Sequence, residues 1–261
     1  MPKRKKLTRS ATRLAGSHSV STISKKNLKY HSVSSKPSGL TNLELKRYHR
    51  QTLMDGWGTN GQEILKKSCV FIAGAGGLGS PVAIYLAAAG VGRLRICDYD
   101  TLEVSNLNRQ ILHTHTRIGK YKTLSAKISL KKINPHVEIE AFSEKIDENT
   151  VKKLVGDASI IVDCMDNFPT RYILNEFAVK NRLVLVHGSI WGWEGRLTTI
   201  HFPKTPCFAC IFPDSPPSGV FPVAGVTPGV IGCLQATEVI KYLVGIGENL
   251  YNKLLVYNGK N

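Results

Sequence analysis

Two hydrophobic periods alternate along the chain. Short apolar runs recur at 69–73, 94–98, 137–142, 160–164 and 183–187, and runs of that length bounded by Gly, Asp or Ser read as strands. Between them lie helical stretches: 80–89, with Ser80 as cap and Pro81 in the first turn; 120–133, stopped by Asn134-Pro135; and 169–180. After Gly188 the rhythm changes. Residues 194–202 alternate as an antiparallel strand does, and 203–225 are rich in Pro and Gly. Thr227-Pro228 caps a helix that runs to about Val244 and stops at Gly245, and 254–257 is a last strand. Upstream, the stretch 43–51 starts a short amphipathic helix. Strands alternating with helices call for an α/β fold with a mostly parallel central sheet and helices on both faces, here extended by antiparallel strands in the carboxyl-terminal half. No internal repeat is present.

Length and composition narrow the class. A chain of 261 residues, 42% hydrophobic and 21% charged, buries a sizeable core without disulfides. The formal net charge is +16, but residues 1–43 hold ten Lys/Arg and no acid, which leaves +6 for the rest. The basic excess is thus largely a property of this amino-terminal segment. It is expected to be a disordered tail, with 44–261 as a single domain. An organelle-targeting or nucleic-acid-tethering role for the tail stays open, and the body is expected to bind neither nucleic acid nor membrane. Residues 68–92 carry no charge and are long enough to imitate a membrane span, but six glycines and a proline interrupt them. Six cysteines, four of them isolated in apolar runs, suit free thiols in a reducing, cytoplasmic compartment.

Gly74-Ala75-Gly76-Gly77-Leu78-Gly79 follows a strand and opens a helix. That is the context in which glycines let backbone approach a phosphate at a helix amino terminus, as in Rossmann-like sheets. Asp98 ends the next strand, 24 residues after Gly74, where a carboxylate takes ribose hydroxyls. Asp98-Tyr99-Asp100 leads into Ser105-Asn106-Leu107-Asn108-Arg109-Gln110 and then Gly119-Lys120-Tyr121-Lys122. A nicotinamide enzyme leaves such a cationic cluster idle, whereas a triphosphate needs it.

Six motifs in order carry a resemblance: Arg47-Tyr48-His49-Arg50-Gln51, the glycine turn, Asp98–Asp100, 105–110 with Lys122, Asp163-Cys164-Met165-Asp166-Asn167, and Cys207-Phe208-Ala209-Cys210 followed by Gly229-Val230-Ile231-Gly232-Cys233-Leu234-Gln235-Ala236-Thr237-Glu238. Over residues 43–258 the chain resembles the ThiF/MoeB/HesA family of ubiquitin-activating-like adenylyltransferases. The resemblance implies that Mg-ATP is used to adenylate the terminal glycine of a small ubiquitin-like sulfur carrier ending in Gly-Gly, releasing pyrophosphate, in thiamine or molybdopterin biosynthesis. It implies that Gly74, Gly76, Gly77 and Gly79 line the nucleotide turn and that Asp98, with Asp100, serves the ribose side. Asn106, Arg109 and Lys122 match phosphate-side residues, and Asp166 matches the acid near Mg²⁺. Arg50 matches an arginine supplied by the neighbouring subunit of a homodimer.

Two departures qualify the match. Many members hold a structural Zn²⁺ with two Cys-x-x-Cys pairs, and this sequence supplies only Cys207 and Cys210, half of a tetrahedral site. Relatives that form a thioester place a cysteine just before an Ala-Gly-Val segment, whereas 219–226 here contains none. Adenylation without a covalent carrier–enzyme thioester is therefore expected, with Cys233 in the core and Cys164 at a strand end in the nucleotide half. The competing readings are an NAD-dependent oxidoreductase, a tRNA-modifying dehydratase of the same superfamily and an inactive carrier-binding subunit. The first leaves Arg109, Lys122 and Asp166 without work, and the last has no reason to keep them.

Overall fold

The computed structural model describes residues 39–215, 219 and 221–261; the expectations for the basic tail up to residue 38 lie outside them. Helices α1 (Asn42–Arg47), α2 (His49–Thr52) and α3 (Gly58–Lys67) precede strand β1 (Cys69–Ala73). There follow α4 (Gly79–Ala89), β2 (Arg93–Cys97), α5 (Lys122–Ile133), β3 (Glu138–Phe142), α6 (Val151–Val155), β4 (Ile160–Asp163) and α7 (Phe168–Asn181). Then come β5 (Val184–Trp191), β6 (Glu194–Ile200), α8 (Phe208–Ile211), α9 (Val226–Val244) and β7 (Leu255–Asn258). The seven strands form one sheet in the order β3-β2-β1-β4-β5-β6-β7. The first five are parallel, and β6 and β7 add antiparallel. The expected sheet is thus present.

Strand alternation divides the core in two. Val70 and Ile72 of β1, Ile160 and Val162 of β4, and Val184 and Val186 of β5 face one cluster with Leu86 of α4, Leu130 of α5 and Val239 of α9. Phe71, Ile161 and Leu185 face the other, with Leu154 of α6, Leu174 of α7 and Phe208 of α8. Successive side chains on opposite faces, each covered by helices, explain why these strands read as continuous apolar runs.

The structure corrects several local expectations. Ser80 does not cap α4: the helix starts at Gly79, and the Ser80 hydroxyl is buried with no partner among the described residues. Thr227 does not cap α9 either. That helix starts at Val226, and the Thr227 hydroxyl donates to the Gly192 carbonyl at 3.1 Å, tying α9 to the β5–β6 hairpin. Gly188 does not end β5, which runs on to Trp191; a Cβ on Gly188 would lie 2.5 Å from the Gln235 side chain of α9, so this glycine marks a close approach, not a break. The helix foreseen over 43–51 divides at Tyr48, and Thr41 begins it with a capping box closed by Glu44.

Candidate active site

Strand order reverses at β1. The chain steps outward to β2 and β3, then crosses to β4 and β5 on the other side. A parallel sheet leaves a crevice beyond the carboxyl ends of its strands at such a point. There a cleft of about 350 Å³ is lined by Gly74, Gly76, Gly77, Asp98, Asp100, Arg109, Lys122 and Asp166, eight of the residues singled out from the sequence.

The four glycines do two different jobs. Gly74 has φ +100° and a Cβ there would meet the Cys164 carbonyl at 2.8 Å, while a Cβ on Gly79 would lie 2.0 Å from the Gly74 carbonyl oxygen. These two let the turn close; Gly79 is not among the residues lining this cleft. Gly76 and Gly77 leave the cleft wall bare. A Cβ on Gly76 meets only the Gln110 amide, at 3.6 Å and beyond, and one on Gly77 meets Pro228 at 3.1 Å. With no side-chain cap on α4, the Gly79 N–H stays available to an anion, whereas the Ser80 N–H bonds the Gly76 carbonyl at 2.9 Å and Pro81 has none.

Asp98 ties the glycine turn to the loop after β2. Its Oδ2 accepts from Ala75 N–H at 2.8 Å and its Oδ1 from Asp100 N–H at 2.9 Å. Burial pushes its pKa up, and nearby Lys122 together with those two amides pulls against the rise. Lys122, buried, donates to Asp100 Oδ2 at 2.7 Å. The Arg109 guanidinium is exposed and bonds its own loop, to the Ser105 carbonyl at 2.9 Å and Asn108 Oδ1 at 3.0 Å. Asn106 stands differently: its Oδ1 accepts from Glu103 N–H at 3.1 Å, closing a short 3₁₀ turn (Val104–Asn106), and it does not line the cleft.

Asp166 is exposed, and its carboxylate has no hydrogen bond or ion pair among the described residues. The turn beneath it is held tightly. Asp163 Oδ1 accepts from Met165 N–H at 3.0 Å, the Arg171 guanidinium donates to the Met165 carbonyl, and His187 Nδ1 bonds Asp163 Oδ2 at 2.7 Å. Burial holds His187 below its ordinary pKa, against the opposing pull of Asp163. None of Arg171, His187 or the cleft-lining Gln110 was assigned a role from the sequence. Gln110 is 4% exposed with its Oε1 unpartnered, and Arg171 Nε is likewise without a hydrogen bond. The signal available was position alone: Gln110 ends one motif and Arg171 follows another by four residues, while His187 ends an apolar strand run.

A second cavity, of about 790 Å³, adjoins the first and shares Asp166, Asn167, Arg171, Ile190, Gly219 and Phe221 with it. Its wall includes His187, Glu194, Arg196 and a stacked pair, Trp191 and Phe221, with ring centroids 5.5 Å apart. Arg50 lies exposed on α2 and lines neither cavity of its own chain.

The Cys207 and Cys210 sulfurs are 3.3 Å apart. Partial burial raises the Cys207 pKa, but hydrogen bonds from the Cys210 thiol and amide, Asn175 and Ala209 outweigh it and leave the pKa lowered. No group of three or more His, Cys, Asp or Glu is placed to hold a metal among the described residues. The pair does not by itself fit a tetrahedral Zn²⁺ site. No helix among the described residues is long and apolar enough to cross a membrane, the uncharged stretch 68–92 included.

The ThiF family matches residues 48–261. The chain belongs to the ThiF family. It is 43% identical over 221 residues to the SAMP-activating enzyme E1 of Haloferax volcanii, covering 82% of each chain. It is 42% identical over 229 residues to the sulfur carrier protein adenylyltransferase of Thermus thermophilus, covering 84% of each. It is also 43% identical over 228 residues to the adenylyltransferase and sulfurtransferase MOCS3 of Drosophila yakuba, covering 85% of this chain but only 50% of that protein. The chain thus spans about half the length of some curated relatives it matches. Among solved structures, E. coli MccB with ATP shares the ThiF-type fold at TM-score 0.73 and 25% identity, covering 87% of this chain and 71% of that one.

Proposed function

We propose that the chain is an ATP-dependent adenylyltransferase that activates the terminal glycine carboxylate of a small ubiquitin-like sulfur carrier and releases pyrophosphate. The observation that carries this reading is the pair of adjoining cavities with Asp166 at their junction. A nucleotide suits the first, with glycines, a buried carboxylate and two cations. An extended peptide tail suits the second, which is larger and walled by aromatic and charged side chains. An oxidoreductase using a nicotinamide cofactor has no use for a free carboxylate at that junction.

The chemistry follows from charge. The carrier carboxylate is ionised at neutral pH and needs no general base. It attacks an anionic α-phosphorus, so the protein must hold the two anions in line and neutralise them. Asp98 takes the ribose hydroxyls, Lys122 and Arg109 face the phosphates, and the bond to the pyrophosphate oxygen breaks. Lys122 is held by Asp100 until a stronger anion arrives. Mg²⁺ prefers one or two carboxylates plus phosphate oxygens to an all-protein cage; the unpartnered Asp166 carboxylate is the residue that would hold it, and the ion when bound supplies neutralisation of the phosphate charge. Arg50, exposed and remote from its own cleft, is read as acting in a neighbouring subunit of a homodimer. Thiamine or molybdopterin biosynthesis is the proposed setting, in the cytoplasm.

The test is ATP–pyrophosphate exchange with Mg²⁺ against purified carriers ending in Gly-Gly. Exchange that requires one carrier and disappears in Asp166→Ala supports the reading and names the pathway. An Asp166→Ala enzyme that exchanges near the wild-type rate overturns it.

A further inference from the structure

We propose that His113 is a positioning residue for the nucleotide, one that presets the Gly76 N–H as a phosphate donor and ties the glycine turn to the helix bearing Lys122. The proposal rests on the nucleotide reading of the cleft. His113 is 6% exposed and outside the cleft lining. Its Nε2 lies 2.9 Å from the Ala75 carbonyl oxygen and its Nδ1 2.9 Å from Ser125 Oγ.

A carbonyl only accepts, so Nε2 carries the proton, and the neutral ring then presents Nδ1 as an acceptor. The Ser125 hydroxyl must donate to it. Arg117 Nη1 donates in turn to Ser125 Oγ at 3.1 Å and to Ser129 Oγ at 2.7 Å. The donors therefore run one way, from Arg117 through Ser125 and His113 to Ala75. Burial holds the histidine below its ordinary pKa, against the Ala75 bond, with Lys122 and Arg117 also disfavouring a charged ring, so the neutral form is the working one.

The Ala75 carbonyl and the Gly76 N–H belong to one planar peptide and point in opposite directions. Turning the oxygen toward His113 turns the Gly76 N–H away from it, and that N–H has no partner among the described residues. Asp98 fixes the preceding peptide through the Ala75 N–H. Both peptides around Ala75 are thus set before a ligand arrives. Ser125 stands three residues after Lys122 on α5, so the same relay joins the turn and the lysine.

The test is ATP binding by calorimetry to the full chain, with the imidazole tautomer read by ¹⁵N NMR. Wild type is expected to show the Nε2–H tautomer. His113→Gln, whose amide nitrogen reaches where Nε2 was, should stay within about threefold of wild-type affinity, and His113→Asn, which replaces only Nδ1, should lose about tenfold or more for one unsatisfied buried acceptor. In exchange assays the His113→Asn loss should fall on KM for ATP, leaving KM for the carrier unchanged. Wild-type affinity in His113→Asn, or an Nδ1–H tautomer in wild type, overturns the proposal. If His113→Asn does not fold, Ser125→Ala keeps the ring and removes its donor; severalfold weaker ATP binding supports the relay, and unchanged binding rejects it. Wild type that binds no ATP removes the nucleotide reading, and this proposal with it.

Discussion

Adding one methyl group at Gly76 separates ligand approach from folding. The new Cβ would meet nothing nearer than the Gln110 amide nitrogen at 3.6 Å, an ordinary contact, and Gly76 has no left-handed φ. Gly76→Ala should therefore fold as well as wild type, or gain about 0.4–1 kcal/mol from a less disordered unfolded chain. Gly79→Ala is the opposite case: its Cβ would lie 2.0 Å from the Gly74 carbonyl oxygen, against backbone that cannot yield without opening the turn. Overpacking of that kind costs about 3 kcal/mol or more, which for a domain of this size lowers Tm by roughly 6–12 °C. Yet the methyl at position 76 stands on the cleft wall where the proposed function brings phosphate oxygens within hydrogen-bond distance of backbone. The expected loss of ATP affinity is at least about tenfold, the loss of one charge-assisted bond. Calorimetric binding of ATP and thermal melts of both variants make the measurement. Undiminished ATP affinity in Gly76→Ala would refute the placement of phosphate at this turn, and a melt lowered as far as that of Gly79→Ala would refute the division of labour among the glycines.

Arg109 bonds only its own loop, so Arg109→Ala should lower pyrophosphate exchange about a hundredfold or more while the melt stays within about 1 °C; a large fall in Tm would mean the side chain is structural. Folding holds His113, His187 and His201 below their ordinary pKa through burial, so the unfolded chain binds protons more readily, and stability present above about pH 6.5 should be lost progressively as the pH falls below it. Glu238 loses its contribution only at lower pH, because hydrogen bonds from Lys241, Thr199, Leu250 and Asn249 outweigh its burial and depress its pKa; melts of the His113→Gln/His187→Gln double variant should show a flattened upper limb, and an unchanged profile would contradict the assignment. Burial raises the pKa of Cys164 and Cys233, so neither should hold the carrier in an adduct that dithiothreitol releases, and Cys207, whose pKa is lowered, is the thiol to remove as a control; gel detection of such an adduct in Cys207→Ser would overturn the expectation.

The strands were legible because parallel strands buried on both faces leave unbroken apolar runs, as 69–73 and 160–163 do. The lining of the cleft was legible because its glycines, acids and cations lie in short motifs at the ends of those strands. Most of what escaped notice depends on contacts between distant segments. Helix α3 carries Gly58 and Gly61, which weaken its local signal, yet a Cβ on Gly61 would lie 2.8 Å from Val244, so the glycine serves packing against α9. Helix α6, at five residues, is too short for a period to show. Ser80 and Thr227 look like caps from their neighbours alone, but one is buried without a partner and the other is drawn across to Gly192. His187 reads as the end of an apolar strand, and only the pairing of β4 with β5 sets it opposite Asp163.

That last pairing bears on why Asp166 can be both exposed and exact in position. Asp163 and His187 are each 1% exposed and Arg171 is 6% exposed, and burying such groups is stabilising only when their geometry and hydrogen bonds are complete. Here one Asp163 oxygen takes His187 at 2.7 Å, with Arg171 Nε 3.5 Å away, while the other takes the Met165 amide. Arg171 reaches past Met165 to the Gly188 carbonyl at 3.4 Å, and Gln235 of α9 donates to the Asp163 carbonyl at 2.8 Å. Met165 is therefore gripped at both its N–H and its C=O, and the next residue is Asp166. An apolar core of the same volume would stabilise the fold at least as well, but it offers no directional bonds to a turn. The placement of these charges under this turn, and the continuity of Arg171 with both cavities, make the network a base for the junction of the two cavities, where the proposed function brings nucleotide and carrier together. On that proposal, a free carboxylate on a rigid turn would hold a cation against two anions without reorganising during the reaction.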